Sequence, residues 1–542
     1  MPTKDQTAAF SWTGLPRLRE KAESIFGRIP PPGLLCFIVL AAFLPALRNG
    51  FVDWDDIQYV VSNPALRGSW LDALAFSPGY YHPLTTLTYK LEFLLFGLAP
   101  FPYHLTNLAL HLGVCVSAFY LLTALGARRR TAFLAALLFG LHPAHAEPAA
   151  WISGRKELLW GLFSCWTLLF YFKFTDTLSK KHFLWSLFFF FLAMLSKPFA
   201  VVLPLVLLLS DHYRGRAFSL RVALEKVPYL AIAASLLTLS VSPSGFLLRT
   251  GPETPNFLWG AAAALQNASF YVQKLVLPVK LSALYPSPVF SWGAVALPGL
   301  VLLSAFPVLS VLKRRSPEAF KKIIFCLGFF LATVSPALVV SPPADRYVYL
   351  PALGLFFLYA ELLSWLYDRL PGPGPAGQAS TGGSLLVAAA AAHFCVLGFA
   401  SAQRAAVWRS SSSLWEDVLE KYPLEPVAYY GRGNARAAAG EYGKAVEDFS
   451  RCLELSPGYW KAYNNRARIF TDAKELDKAL KDYAAAIELN PLEPRLFLNR
   501  GNAYFLKGDN SMAIRDYDRA LALAPGFAPA LENRRRAAGA AR

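Results

Sequence analysis

Charge is scarce in this chain. Only 16% of its 542 residues are Asp, Glu, Lys or Arg, against 55% hydrophobic residues. That shortage excludes a soluble multidomain protein and points to a polytopic membrane protein. Cysteine is scarce too: six residues, with no disulfide framework and no Cys/His spacing that suggests zinc. Cys36, Cys115, Cys165, Cys326 and Cys395 fall in apolar runs, where a thiol packs as a small hydrophobe, and Cys452 stands alone. No glycine-rich phosphate loop, nucleophile elbow or zinc-protease helix is present. The net charge of +17 comes without a basic aromatic platform or a reader motif, which argues against nucleic acid.

What is present is uneven. Residues 32–406 hold nearly all the long apolar runs, and 408–542 read as soluble helical sequence. Basic residues crowd the ends of the apolar runs: Arg17, Arg19 and Lys21; Arg128–Arg130; Lys180–Lys181; Arg214, Arg216 and Arg221; Lys313–Arg315 with Lys321–Lys322. This is the pattern of cytoplasmic flanks. About eleven spans are expected, near 32–48, 104–125, 131–147, 157–173, 183–195, 198–210, 227–241, 294–312, 321–340, 348–367 and 384–406. The first follows about 30 polar residues without a small-residue cleavage signal, so it reads as a retained span. Segments 84–98 and 258–278 carry charged or amide residues amid apolar ones and read as interfacial helices. That choice keeps every basic loop cytoplasmic. It places an N-terminal segment 1–31 in the cytoplasm and the C-terminal domain outside. The membrane domain is then 32–407, with external loops 49–103, 148–156, around 196–197, 242–293 and 341–347.

Windows 424–457, 458–491 and 492–525 align without gaps at 34 residues each. That period is the tetratricopeptide (TPR) signature. Recurring positions include Tyr429, Tyr463 and Phe497; Gly433, Ala467 and Gly501; Phe449, Tyr483 and Tyr517; and Pro457, Pro491 and Pro525. Small residues let the paired helices approach, and each proline stops a helix. Residues 526–540 are expected to cap the array within a TPR domain 408–542. The expected fold is all-α: a polytopic membrane bundle followed by a TPR α-solenoid. Such arrays bind polypeptides, and mere stabilisation of the membrane part is the plainer alternative.

The external loops carry the unusual polar residues. Asn49–Asp56 places Asp53, Asp55 and Asp56 just beyond the first span. Clustered acids there need water, a cation or a substrate to offset their repulsion. Asp55 and Asp56 are adjacent, so one could act as general base while the other holds the acceptor; an exposed acidic turn is the alternative. His82, His104 and His111 could bind a phosphate or simply be hydrogen-bonded. His142, His145 and Glu147 could hold a metal, although Pro143 disrupts a regular ligand face, so the metal is left unknown. Arg155 and Lys156 suit an anionic headgroup better. Lys197 sits in a break between two runs. In Asp345-Arg346-Tyr347 the arginine could fork onto a phosphate with Asp345 orienting it; a local Asp–Arg pair anchored by Tyr347 is the alternative. Asn267-Ala268-Ser269 fits a glycosylation sequon that is incidental in an interfacial helix.

These segments come in a telling order: Asn49–Asp56, Tyr81–Thr85, Leu95–Leu98, Tyr103–Leu108, Leu110-His111, Leu141–Glu147, Trp151–Lys156, Ser196-Lys197-Pro198 and Asp345–Pro351. With the repeats, they resemble the transmembrane-and-tetratricopeptide-repeat proteins over nearly all of the chain past residue 30. That family looks like the GT-C glycosyltransferases, whose animal members are protein O-mannosyltransferases using a dolichol-phosphate sugar. The resemblance implies a GT-C-like membrane domain, with Asp55 and Asp56 at the catalytic centre, Asp53 a weaker candidate and Arg346 at the donor phosphate. Lys156, Arg155, Lys197 and His82 join the expected donor set. The expected reaction moves mannose or another hexose from a polyprenyl-phosphate carrier to a hydroxyl of a protein recruited by the repeats. A divalent cation is admitted as cofactor but not required by any residue. A non-catalytic scaffold for envelope assembly is the alternative. A transporter fits less well, because the charges crowd one edge of the bundle. The motif variants, and a C-terminus without an endoplasmic-reticulum retention signal, favour a bacterial inner membrane with periplasmic repeats, or lumenal repeats if the source is eukaryotic.

Overall fold

The computed structural model describes residues 31–75, 81–240, 257–286, 291–340, 342–370 and 381–541, and no strand occurs among them. The expected cytoplasmic segment, apart from Pro31, and much of loop 242–293 lie outside the described residues. The chain divides into two compact units. One comprises residues up to Phe51 with Asp55–Ala283 and Ser287–Arg409; the other comprises Val52–Trp54, Leu284–Pro286 and Ser410–Arg542.

In the first unit every expected apolar run falls on a helix. Among the described residues, five helical stretches are long and apolar enough to cross a bilayer: Pro31–Arg48, Pro100–Ala124, Ile152–Thr177, Pro317–Ala337 and Gly382–Arg409. The expected span 131–147 ends early. Its helix is Arg129–Leu141, because Pro143 cannot continue the helix and opens a 3-10 turn, Pro143–His145. A five-residue helix, Ala146–Ala150, follows. Proline likewise splits the next segment, where the helix Lys180–Ser196 ends and a 3-10 turn, Pro198–Val202, begins. These breaks put Glu147 in the first turn of a five-residue helix and Lys197 on extended backbone between two helical segments. At the far end of the bundle, Arg128 and Arg130 both pair with Asp368.

Segment 84–98 forms the helix Pro83–Phe96, and its faces are reversed relative to a soluble amphipathic helix. Thr85, Thr86, Lys90 and Glu92 are buried, while Leu91, Leu94, Leu95 and Phe96 are exposed. Lys90 Nζ donates to the carbonyls of Ala65, Leu66 and Gly68 at 3.2, 3.2 and 2.7 Å, satisfying turn carbonyls that would otherwise lack donors. All but the last two residues of segment 258–278 lie in the helix Phe257–Val276, where Asn267 Nδ2 donates to the Leu338 carbonyl at 2.8 Å.

The second unit is a stack of antiparallel helix pairs from Ser411–Lys421 through Ala528–Ala540. A Cβ on Gly433 would meet the Phe449 ring at 2.7 Å, and one on Gly501 the Tyr517 ring at 2.7 Å. The paired helices therefore approach at distances only glycine or a yielding ring permits. One ion pair recurs at the repeat period: Arg432–Asp448, Arg466–Asp482 and Arg500–Asp516 each form two hydrogen bonds of 2.7–3.0 Å.

Candidate functional site

The acidic octet is divided between the units. Asn49 Nδ2 donates to the Ala405 carbonyl at 3.0 Å, and the Gly50 N–H to the Arg409 carbonyl at 3.0 Å, which fixes the start of the loop in the first unit. Asp55 and Asp56 belong to the first unit as well, and Asp53 to the second. The loop acids thus have three different surroundings.

Asp56 is fully buried, and its Oδ1 accepts from the Ser153 N–H at 2.9 Å and the Ser153 hydroxyl at 2.5 Å. Ser153 is placed by Gly154, where a Cβ would lie 2.6 Å from the Pro148 carbonyl oxygen. Only glycine lets the 3-10 turn Ile152–Gly154 lie so close to the preceding helix. Asp56 therefore holds together the junction from which the helix Arg155–Thr177 starts.

Asp55 keeps 32% of its side chain exposed and faces Lys156 Nζ at 3.4 Å. Lys156 in turn lies over the rings of Tyr59 and Trp151, at 5.1 and 5.3 Å from their centroids. Burial holds the Tyr59 phenol well above its ordinary pKa, with Asp55 adding to the rise and Arg346 opposing it. The Arg346 guanidinium sits 5.5 Å from the Trp151 ring centroid and 4.9 Å from that of Tyr347. Its Nη1 donates to Glu147 Oε1 at 2.6 Å and its backbone N–H to Glu147 Oε2 at 3.0 Å. Arg346 is thus oriented by Glu147 rather than by its neighbour Asp345, which is itself buried. Only one guanidinium nitrogen serves Glu147, the other bond coming from the backbone, which leaves further guanidinium N–H groups for a second anion.

Lys197 donates to both oxygens of Glu157, at 2.7 and 2.6 Å, and lies 5.0 Å from the Tyr347 ring centroid. Burial pulls its pKa down to about 8, against the opposing pull of Glu157. His82 caps the helix Pro83–Phe96, and burial with the nearby Lys156 and Lys197 charges pushes its pKa well below the ordinary value. At neutral pH the imidazole is uncharged, able to donate or accept but not to add a cation.

Arg155 does not join this group. It is fully buried, bonding Glu92, Asn107 Oδ1 at 2.8 Å, the Tyr103 carbonyl at 2.8 Å and Thr88 at 3.3 Å. The expectation that Arg155 meets a donor headgroup is corrected: it is an internal strut joining three helices. His104 is buried, and His111 bonds the Tyr349 hydroxyl at 2.8 Å and the Gly140 carbonyl at 3.1 Å. His142 bonds the Leu275 carbonyl at 3.1 Å and His145 the Phe139 carbonyl at 2.7 Å, while Glu147 serves Arg346. Among the described residues no group of three potential metal ligands gathers. Asp53 bonds within the second unit, its N–H to Ser411 Oγ at 2.7 Å and its Oδ2 to Asn434 Nδ2 at 3.2 Å.

Sequence reasoning did not single out Tyr59, and it took Trp151, Ser153 and Glu157 only as members of the Trp151–Glu157 segment. Trp151, Ser153 and Glu157 flank the basic pair of the Trp151–Glu157 segment, and that adjacency was the available signal. Tyr59 offered none.

Models of the tetratricopeptide repeat match residues 426–459 and 494–527, and a TPR repeat model matches 467–508. Human protein O-mannosyl-transferase TMTC1 is 24% identical over 500 residues, covering 78% of this chain and 54% of its own length. The Caenorhabditis elegans protein O-mannosyl-transferase F38B6.6 is 24% identical over 79% of this chain and 63% of its own length. The chain is TMTC-like. Its apolar helices and these relatives make the TMTC-like chain a membrane protein. It spans between 54% and 63% of the length of these two relatives. Among solved structures, the first TPR domain of Spaghetti (RPAP3), bound to an HSP90 peptide, aligns with 21% of the TMTC-like chain and 91% of its own, at 25% identity and a TM-score of 0.21.

Proposed function

We propose that this protein is a membrane glycosyltransferase that moves a hexose, mannose in the first instance, from a polyprenyl phosphate to a hydroxyl of a protein acceptor recruited by its repeats. One observation carries the reading. Asp55 is a carboxylate about one-third exposed, weakly held at 3.4 Å by Lys156 and flanked by Arg346, while its neighbour Asp56 is committed to Ser153. A general base must reach its proton and must not be tied down by stronger bonds.

Asp55 takes the proton of the acceptor hydroxyl as that oxygen bonds to the anomeric carbon. The bond from the anomeric carbon to the phosphate oxygen breaks, with inversion, and the polyprenyl phosphate leaves as an anion. Lys156 and Arg346 stabilise the developing negative charge, with Lys197 behind them. Trp151 and Tyr347 shield these cations from water, which strengthens their pull on the phosphate. A phosphate leaving group needs little acid assistance, so a neutral His82 is compatible with a hydrogen-bonding role at the donor.

The test is reconstitution of the purified chain with a polyprenyl-phosphate hexose and extracytoplasmic proteins, read by intact mass. A hexose-sized gain that depends on Asp55 supports the reading. An unmodified acceptor pool, with repeat-dependent assembly of an envelope complex that ignores Asp55→Asn, would establish the scaffold instead.

A further inference from the structure

Arg346 and its partner Glu147 stand on separate elements, and both elements are anchored on one buried aromatic block. Tyr349 closes the 3-10 turn Asp345–Val348, its N–H donating to the Arg346 carbonyl at 3.3 Å. His145, two residues before Glu147, ends the 3-10 turn Pro143–His145. The centroid of the Tyr349 ring lies 4.8 Å from that of His145 and 4.9 Å from that of Phe139, edge-on to both. The same ring lies against Gly161 of the helix Arg155–Thr177, where a Cβ would stand 3.0 Å from it.

The hydroxyl end of this plug is fixed as well. His111 Nε2 lies 3.1 Å from the Gly140 carbonyl oxygen, and its Nδ1 lies 2.8 Å from the Tyr349 hydroxyl. Both partners are uncharged and the imidazole is fully buried, so it is neutral and carries one N–H. A carbonyl only accepts, so that hydrogen is on Nε2, Nδ1 is the acceptor and Tyr349 is the donor. A Tyr349 hydroxyl without this acceptor would bear the desolvation cost of an unpaired buried group. The pair therefore has one arrangement, and it ties the helices Pro100–Ala124 and Arg129–Leu141 to the turn that bears Arg346.

We infer that His111 is a positioning residue: by accepting the hydrogen bond of the Tyr349 hydroxyl it holds the turn that aims the Arg346 guanidinium at a polyprenyl phosphate. This role rests on the donor-phosphate part of the proposed function. His145 and Phe139 extend the same block towards Glu147, so the guanidinium and the carboxylate that orients it are set from one base.

The test is calorimetric titration of the full chain in detergent with farnesyl phosphate, a soluble polyprenyl monophosphate. The wild type binds, and Arg346→Gln loses most of that affinity. Tyr349→Phe, which keeps the ring in its socket, and His111→Leu each weaken binding about tenfold, the worth of one charge-assisted hydrogen bond. Their combination weakens it no further, as expected of two halves of one interaction. His111→Asn, whose Oδ1 takes the place of Nδ1, recovers most of the affinity. In the Arg346→Gln chain Tyr349→Phe has no further effect, which a general loss of structure would not give. Wild-type affinity in Tyr349→Phe, or an equal further loss in the Arg346→Gln chain, overturns the inference and leaves the donor site standing. No binding by the wild type, or wild-type affinity in Arg346→Gln, overturns both.

Discussion

The two units use charge in opposite ways. In the repeats one Arg–Asp pair recurs three times at the same spacing, with each arginine about one-fifth exposed. In the membrane unit three pairs stand out as singular and largely buried: Arg155–Glu92, Arg346–Glu147 and Lys197–Glu157. A recurring pair follows from the architecture and serves folding. A singular buried pair next to a proline break costs desolvation that repetition does not explain. The singular pairs therefore mark where the membrane unit departs from a packed bundle, and two of the three adjoin Asp55 and Lys156.

The comparison can be broken in several places. Glu147→Gln should have the largest effect on turnover short of removing the base itself. It leaves Arg346 charged but unoriented, and transfer should fall by roughly 10²-fold, in line with loss of one aimed electrostatic donor. Retained kcat would separate Arg346 from the chemistry. Arg155→Met should have the largest effect on folding. Loss of one partner of a buried pair costs about 3–5 kcal/mol, and Arg155→Lys should not rescue it because lysine cannot reproduce the fork. A stable, active Arg155→Met would make Arg155 dispensable as a strut.

The pH response separates stability from activity. Lys197 titrates near 8 in the folded chain against an ordinary value of 10.5. Between these values the unfolded chain binds more protons, so Lys197 adds stability as pH rises through that window. Below about 8 both states hold the proton and the group contributes no slope. Transfer should move the other way, falling as pH rises through about 8 and Lys197 loses its charge. Parallel trends in melting temperature and rate would contradict this. The smallest effect belongs to the repeats: Arg466→Ala should lower their stability by about 1–2 kcal/mol, the worth of a charge-assisted hydrogen bond pair, without altering turnover of a bound acceptor.

Most of the fold was legible because it is periodic. The 34-residue repeat located the helix pairs of the three windows, and among the described residues the apolar runs fall on helices, since both rest on local pattern. The site was less legible. Arg346 and Lys156, the proposed donor cations, stood out as charge at a membrane edge, which is rarely there without use. Arg155, adjacent in sequence and identical in charge, proved internal, because its burial depends on Glu92 and Asn107, 63 and 48 residues away. Asp53, Asp55 and Asp56 looked equivalent for the same reason. Their partners are Asn434, Lys156 and Ser153, and no local pattern announces contacts at such separations.

The central claim is that the two adjacent acids have different tasks, and one paired measurement tests it: hexose transfer and thermal unfolding of Asp55→Asn and Asp56→Asn in the same reconstituted chain. Asp55→Asn should lose at least 10²-fold in transfer with an unchanged melting temperature, as expected for loss of a general base. Asp56→Asn should lower the melting temperature by releasing Ser153, and should keep measurable transfer wherever the chain is folded. A folded but inactive Asp56→Asn beside an active Asp55→Asn would contradict the account.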